Sequence, residues 1–402
     1  MKYIVNLDWV ELHCEFDSML SKVAYGNAAD QQWDNFSVRL RPYGTRVYKY
    51  VSEIKYHGIP FATLCYHPLS SQDEGGIMNP QMCHIKLDNY WCYRDDWRIV
   101  LDSALRLFRI KPKRLSRLDI ACDLQYFQNG LAAPDLCRKL ITRGYYKIHQ
   151  PNWAAHGRDS QQLTWNSLSF GSKNSPVFTR FYNKSLELKQ KEDKQYIREC
   201  WQQCGFKEER DVWRIEFALT DTGTTIVDEV DNTQLMEWQT YDDLTDEPTG
   251  EKTKIHFDIS LDLISERRNV EQLFLYYAQH YWDIRKNTGQ PRYKCPPLDL
   301  LPKVAEEFRP YQRPHLGKLT RTDKVVVKKM QEVMFDLKEK NERFVLWHAI
   351  NLYQQNRRIE VVSLPDAEKN RERIYYMGDS EDDEKTLKIQ FPIDLDTGQY
   401  KP

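Results

Sequence analysis

The sequence predicts an α+β fold: a largely antiparallel sheet with helices on one face, two pseudo-equivalent halves and a helical C-terminal extension. Three observations lead there. Apolar and polar residues alternate through most of the first ninety positions, which is the period of strands. A short segment occurs twice, as Arg117-Leu-Asp119-Ile-Ala121-Cys-Asp123 and as Arg214-Ile-Glu216-Phe-Ala218-Leu-Thr-Asp221, each with a carboxylate near a small residue on one strand face. Helical periodicity is confined to separate segments between and after these strands.

Taken in order, strands are expected over residues 3–16, 47–56, 61–66 and 82–87, with the middle two forming a hairpin around His57-Gly58-Ile59-Pro60. Asp95 or Asp96 caps a helix to Ile110 with the stripe Val100, Leu101, Ala104, Leu105 and Phe108, and Pro112 stops it. The first carboxylate strand follows. Pro134 and Asp135 open a short helix to Ile141, Gly144 ends it, and residues 145–149 resume as extended chain. Residues 163–170 then turn through 171–176 into the strand Val177-Phe-Thr-Arg-Phe-Tyr-Asn-Lys184, where Phe178, Arg180, Tyr182 and Lys184 share a face. A helix over 186–204, ended by Gly205, leads to the second carboxylate strand; a right-handed crossover of this kind would set the Tyr182 and Glu216 strands parallel and near.

Residues 221–251 carry ten acids and no Lys or Arg, and read as an insertion or an exposed helical excursion. Helical periodicity returns over 259–284, Pro291, Pro296, Pro297 and Pro302 mark a linker-like stretch, and residues 322–353 read as one or two further helices. The acidic residues from about 378 onward have the composition of a solvated tail.

With 402 residues and a net charge of -1, the chain is no uniformly basic nucleic-acid coat, although a local basic groove remains compatible with that balance. Such a run exists: Arg106, Arg109, Lys111, Lys113, Arg114 and Arg117 fall within twelve positions that hold no acid. They could track a phosphate backbone, or could be cations at a helix C-terminus. Tyr145, Tyr146, Trp153 and Trp165 are available for stacking on bases. Nine unpatterned cysteines suggest reduced thiols in a cytoplasmic protein, and no basic start with an apolar run, nor any long apolar stretch, points to a membrane. No two of the ten histidines stand two apart, so no His-x-His metal strand is expected.

Tyr182 lies in a dense polar run, Arg180-Phe-Tyr-Asn-Lys-Ser-Leu-Glu187. A strand tyrosine usually packs; the chemistry that would use this one is attack of the phenol oxygen on a DNA phosphodiester. Ionising a phenol of pKa near 10 at neutral pH costs roughly 4 kcal/mol, and the flanking cations Arg180 and Lys184 are expected to lower that cost. Asp119, Asp123 and Glu216 could hold a divalent cation such as Mg or Mn. They could equally form a cross-strand ion-pair ladder with Arg117 and Arg214, the commoner use of such residues. A ladder balances cations against acids, whereas a metal site leaves acids in excess.

Four segments in order, Ser116-Arg-Leu-Asp-Ile-Ala-Cys-Asp123, Leu168-Ser-Phe-Gly-Ser-Lys-Asn-Ser175, Arg180-Phe-Tyr-Asn-Lys-Ser-Leu-Glu187 and Trp213-Arg-Ile-Glu-Phe-Ala-Leu219, resemble the replication initiation factor family, the rolling-circle initiators of plasmids, phages and integrative elements. The resemblance runs over roughly residues 3–290. It implies a metal-dependent enzyme that nicks and rejoins origin DNA through a phosphotyrosine. Tyr182 would be the nucleophile, with Arg180 and Lys184 beside it. Asp119, Asp123 and Glu216 would be the metal acids. Arg109, Lys111, Lys113 and Arg114 are assigned to DNA binding. On this reading residues 1–220 form the nicking core, 221–300 an acidic excursion and helical completion, and 301–402 a C-terminal helical extension with an acidic tail. The expected partners are double- and single-stranded origin DNA, with a host helicase and self-association left open. The rival reading is a noncatalytic origin-binding or regulatory protein of the same fold. An RNA-binding sheet is less favoured, since no adjacent pair of stacking aromatics marks one.

Overall fold

Strict alternation of buried and half-buried side chains, as in Met82–Leu87, is what makes this chain a sheet protein. The computed structural model describes residues 2–17, 31–72, 75–158, 164–191, 193–231, 252–311, 358–363 and 386–391. The N-terminal half supplies β1 (Tyr3–Phe16), β2 (Gln31–Trp33), β3 (Phe36–Leu40), β4 (Tyr48–Tyr56), β5 (Ile59–Pro68), β6 (Met82–Leu87) and β7 (Ile110–Leu124). After these come β8 (Tyr145–Lys147), β9 (Trp153–Arg158), β10 (Thr164–Phe170), β11 (Val177–Asn183) and β12 (Trp213–Thr220). Eleven of them form one sheet in the order β2-β3-β4-β5-β6-β1-β7-β12-β11-β10-β9, with every pairing antiparallel. The predicted α+β class and its largely antiparallel sheet are what the chain adopts.

Helices α1 (Trp97–Leu107), α2 (Ala133–Ile141) and α6 (Arg267–Tyr281) bury their apolar stripes against one face, where Leu101, Leu136, Leu273 and Phe274 join Val10, Leu118, Ile120, Phe181 and Phe217 in a single core. Two further helices, α3 (Lys184–Gln190) and α4 (Gln195–Cys204), build a second, smaller core from Leu188, Ile197, Trp201, Phe206 and Val212, with Ile4 and Tyr93 packed against it. Trp201 Nε1 reaches Asp123 on the polar side of the sheet. Both sides of the sheet therefore carry helices, although only one carries the main core.

Several expectations change. Pro112 does not stop a helix; it sits inside β7, at a register shift opposite Cys14, where an irregular ladder tolerates a missing N–H. Lys111, Lys113, Arg114 and Arg117 are thus strand residues and not a helix end. The Tyr182 and Glu216 strands are adjacent but antiparallel, because α3 and α4 form a helical connection that returns the chain beside its own strand. The helix expected over 186–204 is these two helices, separated where the polar run from Lys189 to Lys194 has no apolar side chain to bury. Likewise 259–284 divides into α5 (Leu261–Ser265), capped by Ser260, and α6.

The proline-rich stretch is no free linker. Leu300 and Cys295 are buried, Leu300 accepts a backbone hydrogen bond from Gln128, and β15 (Ile284–Lys286) pairs with β8. Two compact units result: residues 1–227 with 256–312, and residues 228–255 with 313–402. Within the acidic stretch the described residues are extended, β13 (Thr225–Asp231) pairing with β14 (Lys252–Asp258), and residues 232–251 lie outside the described set. The helices expected over 322–353 lie outside it too. What is described of the C-terminal extension is a parallel strand pair, β16 (Arg358–Ser363) with β17 (Thr386–Phe391), the latter within the segment read as a solvated tail.

Candidate active site

The two copies of the repeated segment become neighbouring central strands, β7 and β12. Their register sets Asp119 opposite Ala218 and Glu216 opposite Ala121, while Arg214 faces Asp123 and Thr220 faces Arg117. Each acid therefore lies across from the other copy's alanine, which is the relation a local two-fold axis between the strands would give. The small residues make room for the carboxylate across the pair. Asp119, Asp123, Arg214 and Glu216 are all at least 99% buried.

Such burial requires pairing, and every acid has it. Asp123 takes Arg214 Nε at 2.6 Å and Nη2 at 2.7 Å, and Trp201 Nε1 at 2.8 Å. Arg214 also donates to Asp8 Oδ1 at 2.7 Å and to Tyr93 Oη at 2.8 Å, and Tyr93 Oη donates to Asp8 at 2.9 Å. Burial pushes the Asp8 carboxyl up, but Arg214 and Lys184 outweigh it and hold the group well below the usual carboxylate range. Asp119 is held by Arg117 through two bonds, 2.9 and 2.7 Å. Burial pushes its pKa up to about 7, Glu216 adds to the rise, and Arg117 only partly offsets it.

Tyr182, nearly buried on β11, donates its phenol proton to Glu216 Oε2 at 2.9 Å, while Arg180 binds Oε1. Arg180 and Lys184 flank the ring, each cation 5.6 Å from its centroid. Lys184 is the first residue of α3, and its Nζ lies 2.5 Å from Glu187. The expected lowering of the phenol pKa is not what this arrangement does. Burial and the Glu216 charge push it well above its ordinary value, and the cation that lowers it is chiefly Arg214.

The structure thus brings Tyr182, Arg180, Lys184, Glu216 and Asp119 to one region and commits Asp123 to an arginine. Among the described residues no group of three or more His, Cys, Asp or Glu is arranged to hold a metal ion. Arg114, Lys113 and Lys111 lie toward the other end of β7, roughly 30–40 Å from Asp123 at the rise of a strand, and Arg109 stands just before that strand begins. Lys113 pairs with Glu15 at 2.7 Å and Arg114 with Asp221 at 3.5 Å. At that end β1 and β6 also set His13 opposite His84, with ring nitrogens 3.2 Å apart, a pair made by register and invisible in sequence spacing.

Sequence reasoning missed Asp8, Tyr93 and Trp201. Only Asp8 left a trace: the buried phase of β1 runs Val5, Leu7 and then Val10, Leu12, Cys14, a one-residue slip that marks the bulge between Leu7 and Trp9. Asp8 is the extra residue.

No family model matches the chain, and no curated protein matches it. Among solved structures it is similar to the rolling circle replication initiator protein from Geobacillus stearothermophilus, at 14% identity and a TM-score of 0.38, over 74% of this chain and 92% of that one. A likeness of that size carries no argument about activity. No helix among the described residues is long and apolar enough to cross a membrane.

Proposed function

We propose that the protein initiates rolling-circle replication by nicking and rejoining origin DNA, with Tyr182 as the attacking residue. The observation that carries this reading is the 2.9 Å hydrogen bond from Tyr182 Oη to Glu216, which sets a phenol against a carboxylate able to take its proton. With the phenol pKa raised, a free phenolate is not the resting nucleophile. The proton passes to Glu216 as the tyrosine oxygen–phosphorus bond forms and the bond from phosphorus to the bridging sugar oxygen breaks, and that oxygen takes a proton from solvent to leave as a sugar hydroxyl. Rejoining reverses the step. Arg180 is already anchored on Glu216, and its buried Nε has no hydrogen-bond partner among the described residues, which leaves a donor for a phosphate oxygen.

Asp119 and Glu216 fit a hard divalent cation such as Mg or Mn, since one or two carboxylates plus substrate phosphate is a usual way to hold Mg. The pKa of Asp119 is raised chiefly by burial, and the smaller contribution from the Glu216 charge is the part a cation between the two would relieve. Asp123 does not fit, because its arginine, Arg214, is wholly buried and also holds Asp8 and Tyr93, whereas Arg117 on Asp119 and Arg180 on Glu216 are a third or more exposed and would have to yield an oxygen to the ion. When bound, the ion would polarise the scissile phosphate and neutralise charge on it. Arg109, Lys111, Lys113 and Arg114 would grip the origin duplex roughly nine to twelve base pairs away, taking about 3.4 Å per step. A host helicase and self-association belong to the same proposal.

The burial of Tyr182, and an arginine on every acid, favour the second reading, a noncatalytic origin-binding protein. One experiment separates them: labelled single-stranded origin DNA with Mg or Mn, scored for a covalent adduct and mapped by peptide. The expected adduct is on Tyr182 and vanishes in Tyr182→Phe. An adduct elsewhere moves the nucleophile, and no adduct under any condition leaves the binding protein.

A further inference from the structure

On the side of the sheet facing away from Tyr182, a cleft opens between the end of α2, β8, the segment entering β9, and β10. Its floor is Leu168 and Phe170, which alternation places on the main-core face. Its walls are Tyr145, Tyr146 and Trp153, with Arg143, Lys147 and Arg292, and among the described residues no carboxylate lines it. In a chain of net charge -1, that wall composition selects for an anion bearing a flat ring.

The details agree. Trp153 is 46% exposed, so its ring is open to a partner. Arg292 lies over the Tyr146 ring, 5.0 Å from its centroid, so a ring and a guanidinium line the cleft together. Neither Arg143 nor Arg292 has a carboxylate partner among the described residues. Lys147 is buried, donates to His149 O at 2.7 Å and Gln150 Oε1 at 3.0 Å, and lies 4.8 Å from the Phe170 ring. At about 70 Å³ the cleft is far below the several hundred Å³ of an ordinary small-molecule site, so it suits an inserted ring whose charged part stays outside.

We propose that this cleft seats one base of a single-stranded nucleic acid among Tyr146, Trp153 and Phe170, with the flanking phosphates held by Arg143 and Arg292. The chemistry of the cleft stands by itself; only the source of the strand, the nicked origin, rests on the function proposed above. A strand so held would pass around the β9 edge of the sheet between cleft and tyrosine.

The test uses the full chain in a Tyr182→Phe background, so that binding is read without cleavage. A labelled oligothymidylate is titrated by anisotropy against this protein, against the same protein with Trp153→Ala, and against the same protein with Arg143→Ser and Arg292→Ser together. Loss of one stacked base is expected to weaken binding about fivefold to 150-fold. The arginine pair should also lower the salt dependence of binding. Ultraviolet cross-linking of an iodouracil-containing strand should mark the peptide holding Tyr146 or Trp153. Unchanged affinity in both variants, or cross-links confined to other peptides, overturns the proposal. Displacement of the strand by thymidine monophosphate at equal nucleotide concentration would make a free nucleotide the occupant and overturn it as well. Cross-links at Tyr146 or Trp153 from a protein whose Tyr182 never forms an adduct would uphold the cleft and remove the nicking function.

Discussion

The two copies of the Arg-x-acid-x-Ala segment pair with one another, yet they do different work. In the first, Arg117 is a third exposed and reaches two residues along its own strand to Asp119. In the second, Arg214 is wholly buried and ignores Glu216 on its own strand, bridging instead Asp123, Asp8 and Tyr93. That leaves Glu216 to Tyr182 and Arg180. A shared pattern thus yields a buried clamp on one side and a carboxylate bonded to a tyrosine on the other. The difference lies in what covers each copy: α4 closes over Asp123 through Trp201, whereas Arg117 is covered by the single ring of Trp9, 4.2 Å from its guanidinium.

The largest test of that contrast is stability. Arg214→Ala strands two buried carboxylates and is expected to cost about 3–5 kcal/mol, the usual penalty for breaking a buried pair from one side. Arg117→Ala leaves Asp119 buried, but that carboxyl, already raised to about 7, can take a proton instead, so the cost should be smaller, about 1–2 kcal/mol. Urea midpoints for the two variants measure this, and equal losses would dissolve the distinction between clamp and open copy.

Next is the division of labour among the acids. Glu216→Gln should lower adduct formation about 10²- to 10⁴-fold, the range for loss of a general base, while Asp123→Asn should lower the urea midpoint first. Asp119→Asn should shift the Mg or Mn concentration needed for half-maximal adduct formation. A metal dependence altered by Asp123→Asn and not by Asp119→Asn would reverse the assignment of the cation.

Opposite pH signatures follow as well. Asp8 is held below its ordinary value, so its contribution is present above pH about 4 and is lost as pH falls through the folded-state pKa. Asp119 is raised from 3.8 to about 7; its contribution is complete below about 4 and is lost as pH rises through 7. In chelator-treated buffer, the stability of Asp119→Asn relative to the parent should therefore improve between pH 4 and 7. A flat difference across that window would mean that Asp119 is not the burdened carboxylate.

The smallest expected effect concerns the far end of β7. Replacing Arg109, Lys111, Lys113 and Arg114 by Ser should flatten the plot of log affinity against log salt by about 0.9 for each phosphate that these cations neutralise. An unaltered slope would assign Lys113 and Arg114 wholly to Glu15 and Asp221, their partners in the structure.

Much of this was legible beforehand, and for local reasons. Alternation marked Tyr3–Phe16, Met82–Leu87 and Val177–Asn183 as strands because one face of each meets a core, and Gly205 marked the end of the helical connection between β11 and β12. The repeated segment put Asp119 and Glu216 on strand faces with Ala121 and Ala218 beside them. Pro112 misled, because a proline stops a helix by rule but enters a strand wherever the ladder already has a gap, and that gap depends on β1.

Pairing across the sheet lay beyond the sequence. Which arginine meets which acid depends on register between β7 and β12, and a two-residue slip would join Arg214 to a different partner without altering any local pattern. Asp8, Tyr93 and Trp201 converge on Arg214 and Asp123 from elements separated by up to 206 positions, so no spacing rule could have grouped them. The chain alone determined which residues are able to do chemistry. Tertiary structure decided that Arg214 is spent on Asp123 and Asp8, and so that Glu216 remains for Tyr182, because buried charge must be matched by whatever side chain the fold brings within reach.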